Sequence, residues 1–115
     1  MSITLGIFTL LCVLGISTGQ LLFKKAAAAL PAVFSLSALL QNGWLIAALT
    51  LYGITTFGWI WVLRHAPLHL AYPFMGLAFL IVPTLAWLFL GEPLHWRTLA
   101  GGLLIMAGVA LASTN

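Results

Sequence analysis

Residues 3–23 contain no charged side chain and end at the pair Lys24, Lys25. Residues 44–63 repeat the pattern up to Arg64, and residues 68–90 repeat it up to Gly91-Glu92-Pro93. A fourth run, residues 99–112, reaches spanning length only when its start is drawn back toward Leu94. An α-helix of about 18 or more apolar residues crosses a hydrocarbon core roughly 30 Å thick. In water these runs would need a polar covering, and 63% hydrophobic against 4% charged residues leaves none to spare. Soluble domains carry roughly 25% charged residues. Lipid is therefore the solvent. The expected fold is an all-α membrane protein, a single domain over residues 1–115 with transmembrane helices at about 3–23, 44–63, 68–90 and 95–112.

The few cations obey the same frame. Lys24, Lys25, Arg64 and Arg97 all fall at expected helix ends, where long side chains reach the interface. Trp44 and Trp96 mark one boundary, and Trp59 and Trp61 the other. Short loops make successive helices antiparallel, so Lys24, Lys25 and Arg97 share a side opposite Arg64. The excess of positive charge, three cations against one, favours loops one and three in the cytoplasm and both termini on the far side, with dual insertion as the alternative. The first run has no preceding Lys or Arg and exceeds a signal-peptide core in length, so it is expected to remain as a helix. Residues 26–43 form the longest non-spanning stretch, read as a segment at the interface and broken by Pro31. A net charge of +3 from scattered helix-end cations does not make a nucleic-acid surface. The single Cys12 lies within helix one and supplies no disulfide framework.

Catalytic and metal signatures are missing. One carboxylate cannot form an acid/base pair, Cys12 has no plausible histidine partner, and no phosphate-binding glycine loop is present. His65 and His69 have ligand spacing, but Pro67 breaks the helix that would align them. Neither enzyme activity nor a metal or cofactor is expected. Attention shifts to polar and small residues inside the spans. Gly15 and Gly19 form a GxxxG pattern, and Gly101, Gly102 and Gly108 populate helix four. Such residues permit close helix contact, within one subunit or between two. Ser17, Thr18 and Gln20 lie just before the lysine pair. Gln20 must find partners, in another helix or in a cavity. Tyr72 opens helix three beside Pro73, with Gly76 and Pro83 following. Each proline frees a carbonyl one turn earlier, leaving a hinge or a static bend.

Several of these residues carry a resemblance. The opening Ala71-Tyr72-Pro73, the turn Gly91-Glu92-Pro93-Leu94 and the run Ala107-Gly108-Val109 resemble helices three and four of small, four-helix, EamA-like members of the drug/metabolite transporter superfamily. "GQLLFKKAA", from Gly19 to Ala27, resembles the helix-one ending of the same group. The likeness covers most of the chain outside residues 31–43. It implies a bundle like that of the small multidrug resistance proteins, working as a dimer.

Two families within that group differ at informative positions. Small multidrug exporters carry a membrane-embedded Glu in helix one, and alignment on Gly19 and Lys24 puts Ile16 there, or Ser17 with a one-residue shift. Met75 replaces the helix-three Trp that those exporters carry. A span without a carboxylate lacks both a counter-ion for a cationic drug and a group titrating in a useful range. The "GQL" and "AYP" stretches instead resemble the aminoarabinose–phosphoundecaprenol flippase subunits.

The sole acid, Glu92, is a poor replacement for the missing one. Gly91 is expected to stop helix three and Pro93 to open the next helix, leaving Glu92 near its N-cap and within reach of Arg97. The resemblance thus implies a flippase subunit for a polyprenyl-phosphate-linked sugar in a bacterial inner membrane, paired with itself or a similar small subunit. Its expected substrate groove uses Ser17, Thr18, Gln20 and Tyr72, with Lys24, Lys25 and Arg97 attracting phosphate. The alternatives are a small multidrug or metabolite exporter and a non-transporting accessory subunit.

Overall fold

A computed structural model describes residues 2–33 and 35–113, so both extremes of the expected 1–115 domain lie partly outside the described residues. Helix α1 spans Ile3–Ala29, longer than the charge-free run that announced it. Lys24 and Lys25 do not end it, because lysine and alanine are good helix formers and Ala26 to Ala29 propagate the helix. The stop comes at Leu30, extended at φ −74° and ψ 142°. Pro31 disfavours helical geometry in the residue before it. At the other end, Ser2 Oγ accepts a hydrogen bond from Leu5 N at 3.1 Å.

A five-residue helix, α2 (Leu36–Leu40), occupies the stretch read as interfacial, capped by Ser35. Val33, Leu36 and Leu40 are exposed there. The second long helix, α3, spans Gly43–His65. Asn42 caps it by accepting from Leu45 N at 3.2 Å while its buried Nδ2 donates to Ala26 O at 2.8 Å. One side chain thus starts α3 and fastens it to the end of α1. Replacing Asn42 with Ala removes a cap and orphans a carbonyl. It is expected to destabilise the fold by about 1–3 kcal/mol, read as a lowered unfolding midpoint in detergent.

The third span, Leu68–Leu90, is continuous but not uniform. It begins as α4 (Leu68–Ala71), tightens into a 3-10 stretch at Tyr72–Leu77, and continues as α5 (Ala78–Leu90). Pro73 removes an N–H near the start of that stretch, whose six residues exceed the usual three or four. Gly91 ends α5 in the left-handed region at φ 69°, and Glu92 N bonds back to Ala86 O at 3.3 Å. Glycine suits that conformation because it has no Cβ.

The next helix, α6, starts only at Trp96 and runs to Ser113. This corrects the expected capping. Glu92 and Pro93 lie in the irregular connection before α6, and His95 supplies the first helical carbonyl to Leu99 N at 3.4 Å. Nor do Glu92 and Arg97 form an ion pair among the described residues. The Arg97 guanidinium lies 5.6 Å from the centroid of the Trp96 ring, a cation–π arrangement.

Helix α1 is the organising element. It packs along α3 on one face and against α5 and the 3-10 stretch on another, while α6 covers the 3-10 stretch and α5. At the α1–α3 seam, a Cβ on Gly15 would stand 2.7 Å from Thr55 Oγ1, and one on Gly19 would stand 3.3 Å from Tyr52 Cδ2. The GxxxG pattern therefore serves contact within this chain. Thr9, Val13 and Ser17 are wholly buried, whereas Phe57, Leu88, Phe89, Leu104 and Leu111 are exposed. An interior of small side chains beneath large apolar ones suits lipid as the surrounding medium. Threonine hydroxyls donate to carbonyls four residues back, from Thr18 to Leu14, Thr55 to Leu51 and Thr84 to Leu80. Such bonds satisfy hydroxyl donors where water is absent. Three helices, Ile3–Ala29, Gly43–His65 and Leu68–Leu90, are long and apolar enough to cross a membrane, and α6 adds a shorter apolar helix over Trp96–Ala112.

Candidate functional site

Helices α1, α5 and α6 do not close on one another completely. Between them lies an open groove with a cavity volume of ≈ 550 Å³. Its apolar walls include Ile16 from α1, Phe79, Val82 and Pro83 from α5, and Ile105 from α6. Gln20, Arg97 and Thr98 supply polar side chains, and Gly101 and Gly102 open space along α6. The groove thus joins a hydrocarbon-like trough to a cationic end. An isoprenoid or acyl chain fits the first, and an anionic group fits the second.

Two of the seven residues expected to bind substrate, Gln20 and Arg97, meet in this groove. The others do not join them. Ser17 is fully buried, and its Oγ has no hydrogen-bond partner among the described residues. Thr18 is exposed but turned to its own helix, bonding Leu14 O at 2.9 Å. Thr18 is one residue from Ser17 and two from Gln20, spacings that do not share a helix face. Ser17 and Gln20, three apart, differ in burial, the first enclosed and the second exposed. Lys24 is exposed, and Lys25 Nζ lies 4.7 Å from the centre of the Trp44 ring.

Tyr72 borders a different, smaller cavity with His69, Pro73, Val109 and Ala112. Val109 is twelve residues from Arg97 on α6. At the α-helical rise this places the Tyr72 cavity about 18 Å along the helix from the cationic end. His65 is occupied locally, with Nδ1 2.9 Å from Trp61 O.

Sequence reasoning overlooked Phe79, Val82, Thr98 and Ile105 as groove residues. Nothing in an apolar run distinguishes a residue facing a cavity from one facing lipid. Pro83 and Gly102 did carry a signal, one through its missing N–H and the other through its missing side chain. Ile16 was noted as the place of an absent carboxylate, and it lies on the groove wall.

The helices define a small multi-pass membrane protein with an open groove that has Arg97 on its wall. The chain belongs to the family of 4-amino-4-deoxy-L-arabinose-phosphoundecaprenol flippase subunits. It is 39% identical over 98 residues to the probable subunit ArnE of Sodalis glossinidius, covering 84% of this chain and 86% of that protein. The probable ArnE of Serratia proteamaculans is 40% identical over 103 residues, covering 84% of each chain. The probable subunit ArnF of Erwinia tasmaniensis is 34% identical over 115 residues, covering 91% of each. No protein-family model and no solved structure matches the chain.

Proposed function

We propose that this chain is one subunit of a flippase that moves a polyprenyl-phosphate-linked sugar of the aminoarabinose type across a bacterial inner membrane. The observation that carries this reading is the groove joining apolar walls to Arg97. The polyprenyl tail lies along Ile16, Phe79, Val82 and Ile105, while Arg97 receives the phosphate and Gln20 contacts the headgroup. Arg97 suits this role because its planar donors match phosphate oxygens. Lys24, exposed near the same membrane face, adds long-range attraction, and Tyr72 belongs to the far mouth of the path. All four long or apolar helices span the bilayer in a bundle like that of the small multidrug resistance proteins, and residues 1–115 act as one domain. Loops one and three face the cytoplasm.

The working unit is a dimer, with a second copy or with a similar small subunit. Gly108 supports this assembly because no heavy atom lies within 4 Å of the Cβ it would carry. Leu104 and Leu111 on the same helix are exposed. Ile16 on the wall argues against proton-coupled export of a cationic drug, since the groove has no carboxylate. Glu92 is exposed and lies outside the groove, with no ion pair among the described residues. The Glu92→Gln variant is therefore expected to transport within about twofold of the parent, because an exposed unpaired charge contributes little.

Reconstitution into liposomes tests the reading directly. A labelled polyprenyl-phosphate sugar and a quaternary-ammonium drug are offered in parallel, with the chain alone and with a co-expressed small subunit. Movement of the lipid supports flipping. Movement of the drug alone would defeat it, and inertness with either partner would leave an accessory role.

A further inference from the structure

The connection between α1 and α3 encloses a second pocket, of ≈ 330 Å³, that shares no residue with the groove. Ala29 and Pro31 wall it at the end of α1, Ala38 on α2, and Gln41 and Trp44 at the start of α3. The buried bond from Asn42 Nδ2 to Ala26 O, at 2.8 Å, fixes the two helix ends that wall the pocket. Asn42 lines the pocket as well, but its carboxamide is spent at both atoms, on Ala26 O and Leu45 N.

Lys25 lies four residues before Ala29, on the same face of α1, and its Nζ is 4.7 Å from the centre of the Trp44 ring. The ammonium thus stands at the Trp44 edge of the pocket. Two further donors border the same space, the Trp44 indole N–H and the Gln41 carboxamide. Neither side chain makes a hydrogen bond among the described residues. Measured from Ile3, where α1 begins, Lys25 is about 33 Å along the helix. That is just past a hydrocarbon core roughly 30 Å thick, at the depth of lipid phosphates.

The surroundings are apolar. Residues 26–43 carry no charged side chain, and Val33, Leu36 and Leu40 are exposed. Lys25 has no ion pair among the described residues, and the sole acid, Glu92, belongs to the connection before α6. A free cation beside exposed apolar side chains suits a partner that is anionic at one end and apolar at the other.

We propose that this pocket holds the headgroup of an anionic phospholipid of the surrounding bilayer, its phosphate against Lys25 and the Trp44 N–H. Leu36 and Leu40 of α2 rest in the lipid beside it. Basic pockets at membrane helix ends recognise anionic headgroups through such contacts. The bound lipid ties α2 to the ends of α1 and α3. Lys25 therefore serves a resident lipid, whereas Arg97 serves the groove.

Native mass spectrometry of the intact chain tests this, with phosphatidylglycerol and phosphatidylcholine offered in equal amounts. The parent is expected to retain phosphatidylglycerol roughly five- to tenfold over phosphatidylcholine, the effect of about one charge-assisted hydrogen bond. Lys25→Gln is expected to bring that ratio below about twofold. Trp44→Phe, which keeps a ring but loses the N–H, is expected to lower it about two- to threefold. Lys24→Gln is the control, because Lys24 is exposed one residue away and should keep the parent's preference. Circular dichroism verifies the helix content of each variant. A parent without preference, or a Lys25→Gln protein that keeps it, would overturn the site. So would an equal loss in Lys24→Gln, which would mean diffuse attraction to a positive surface. Efficient cross-linking between copies carrying Leu36→Cys would seat a second subunit on α2 in place of lipid and overturn it too. None of these outcomes bears on transport through the groove.

Discussion

Arg97→Ala is expected to lower transport of a lipid-linked sugar phosphate by tenfold or more in proteoliposomes. No other cation lines the groove, and the guanidinium is already held at its mouth against the Trp96 ring. Charge-assisted hydrogen bonds to phosphate are among the stronger polar contacts, and their loss leaves an anion facing an apolar trough. Arg97→Lys is expected to recover part of the activity, because a point charge attracts phosphate without matching its oxygens bidentately. Lys24→Ala is the control. Its exposed ammonium is not on the groove wall and should cost less than the Arg97 change. Equal transport by the parent and Arg97→Ala would remove the phosphate role from this residue.

Gly15→Val is expected to destabilise the chain by about 2–3 kcal/mol, since added carbons in a tight seam force neighbouring groups from their places. Even the first added carbon would meet Thr55 Oγ1 at 2.7 Å. That hydroxyl cannot simply rotate away, because it bonds Leu51 O at 2.8 Å. Either the bond breaks or α1 and α3 separate. Gly108→Val is the informative contrast. It meets nothing within 4 Å and should leave the melting temperature of the isolated subunit nearly unchanged. If α6 forms the subunit interface, cross-linking between subunits should instead fall in Gly108→Val. Comparing thermal unfolding in detergent with cross-linking in membranes separates the two roles. A Gly15→Val protein as stable as the parent would mean that the seam can open at little cost.

These contrasts indicate how far the sequence could be read. GxxxG in α1 and the glycines of α6 look equivalent as patterns. One pattern is filled by Thr55 and Tyr52 within the chain, Gly102 is filled by α5, and Gly101 and Gly108 remain open. Small residues declare that something can approach closely, without naming what does. Glu92 shows the same limit on a shorter scale. Gly91-Glu92-Pro93 announced a helix stop, and Gly91 has the left-handed backbone that such a stop uses. The helix start near residue 95 was read well. The capping role given to Glu92 was misplaced, because Pro93 is compatible with a first helical turn but does not compel one. Helix α6 begins later, at Trp96.

The polar residues give the clearest separation. Ser17, Thr18 and Gln20 were grouped because they are adjacent in the chain, yet they point to the core, the outside and the groove. A helix turns about 100° per residue, which carries Thr18 away from both Ser17 and Gln20. The burial of Ser17 and the exposure of Gln20, three residues on, are set instead by how the neighbouring helices pack on α1. Tyr72, expected to line the headgroup path, and Arg97, expected to attract phosphate, were assigned to one substrate groove and lie toward opposite ends of α6.

By itself the sequence determined the solvent and the helices, since long charge-free runs can satisfy their backbone in lipid only by coiling. It also determined the absence of a carboxylate near Ile16, which is a matter of composition and order. Only the tertiary structure decided that Ile16, Gln20, Phe79, Pro83, Gly102 and Arg97 share one cavity. Those residues come from three helices, and their rotation about each other is set by side-chain packing that no local pattern encodes.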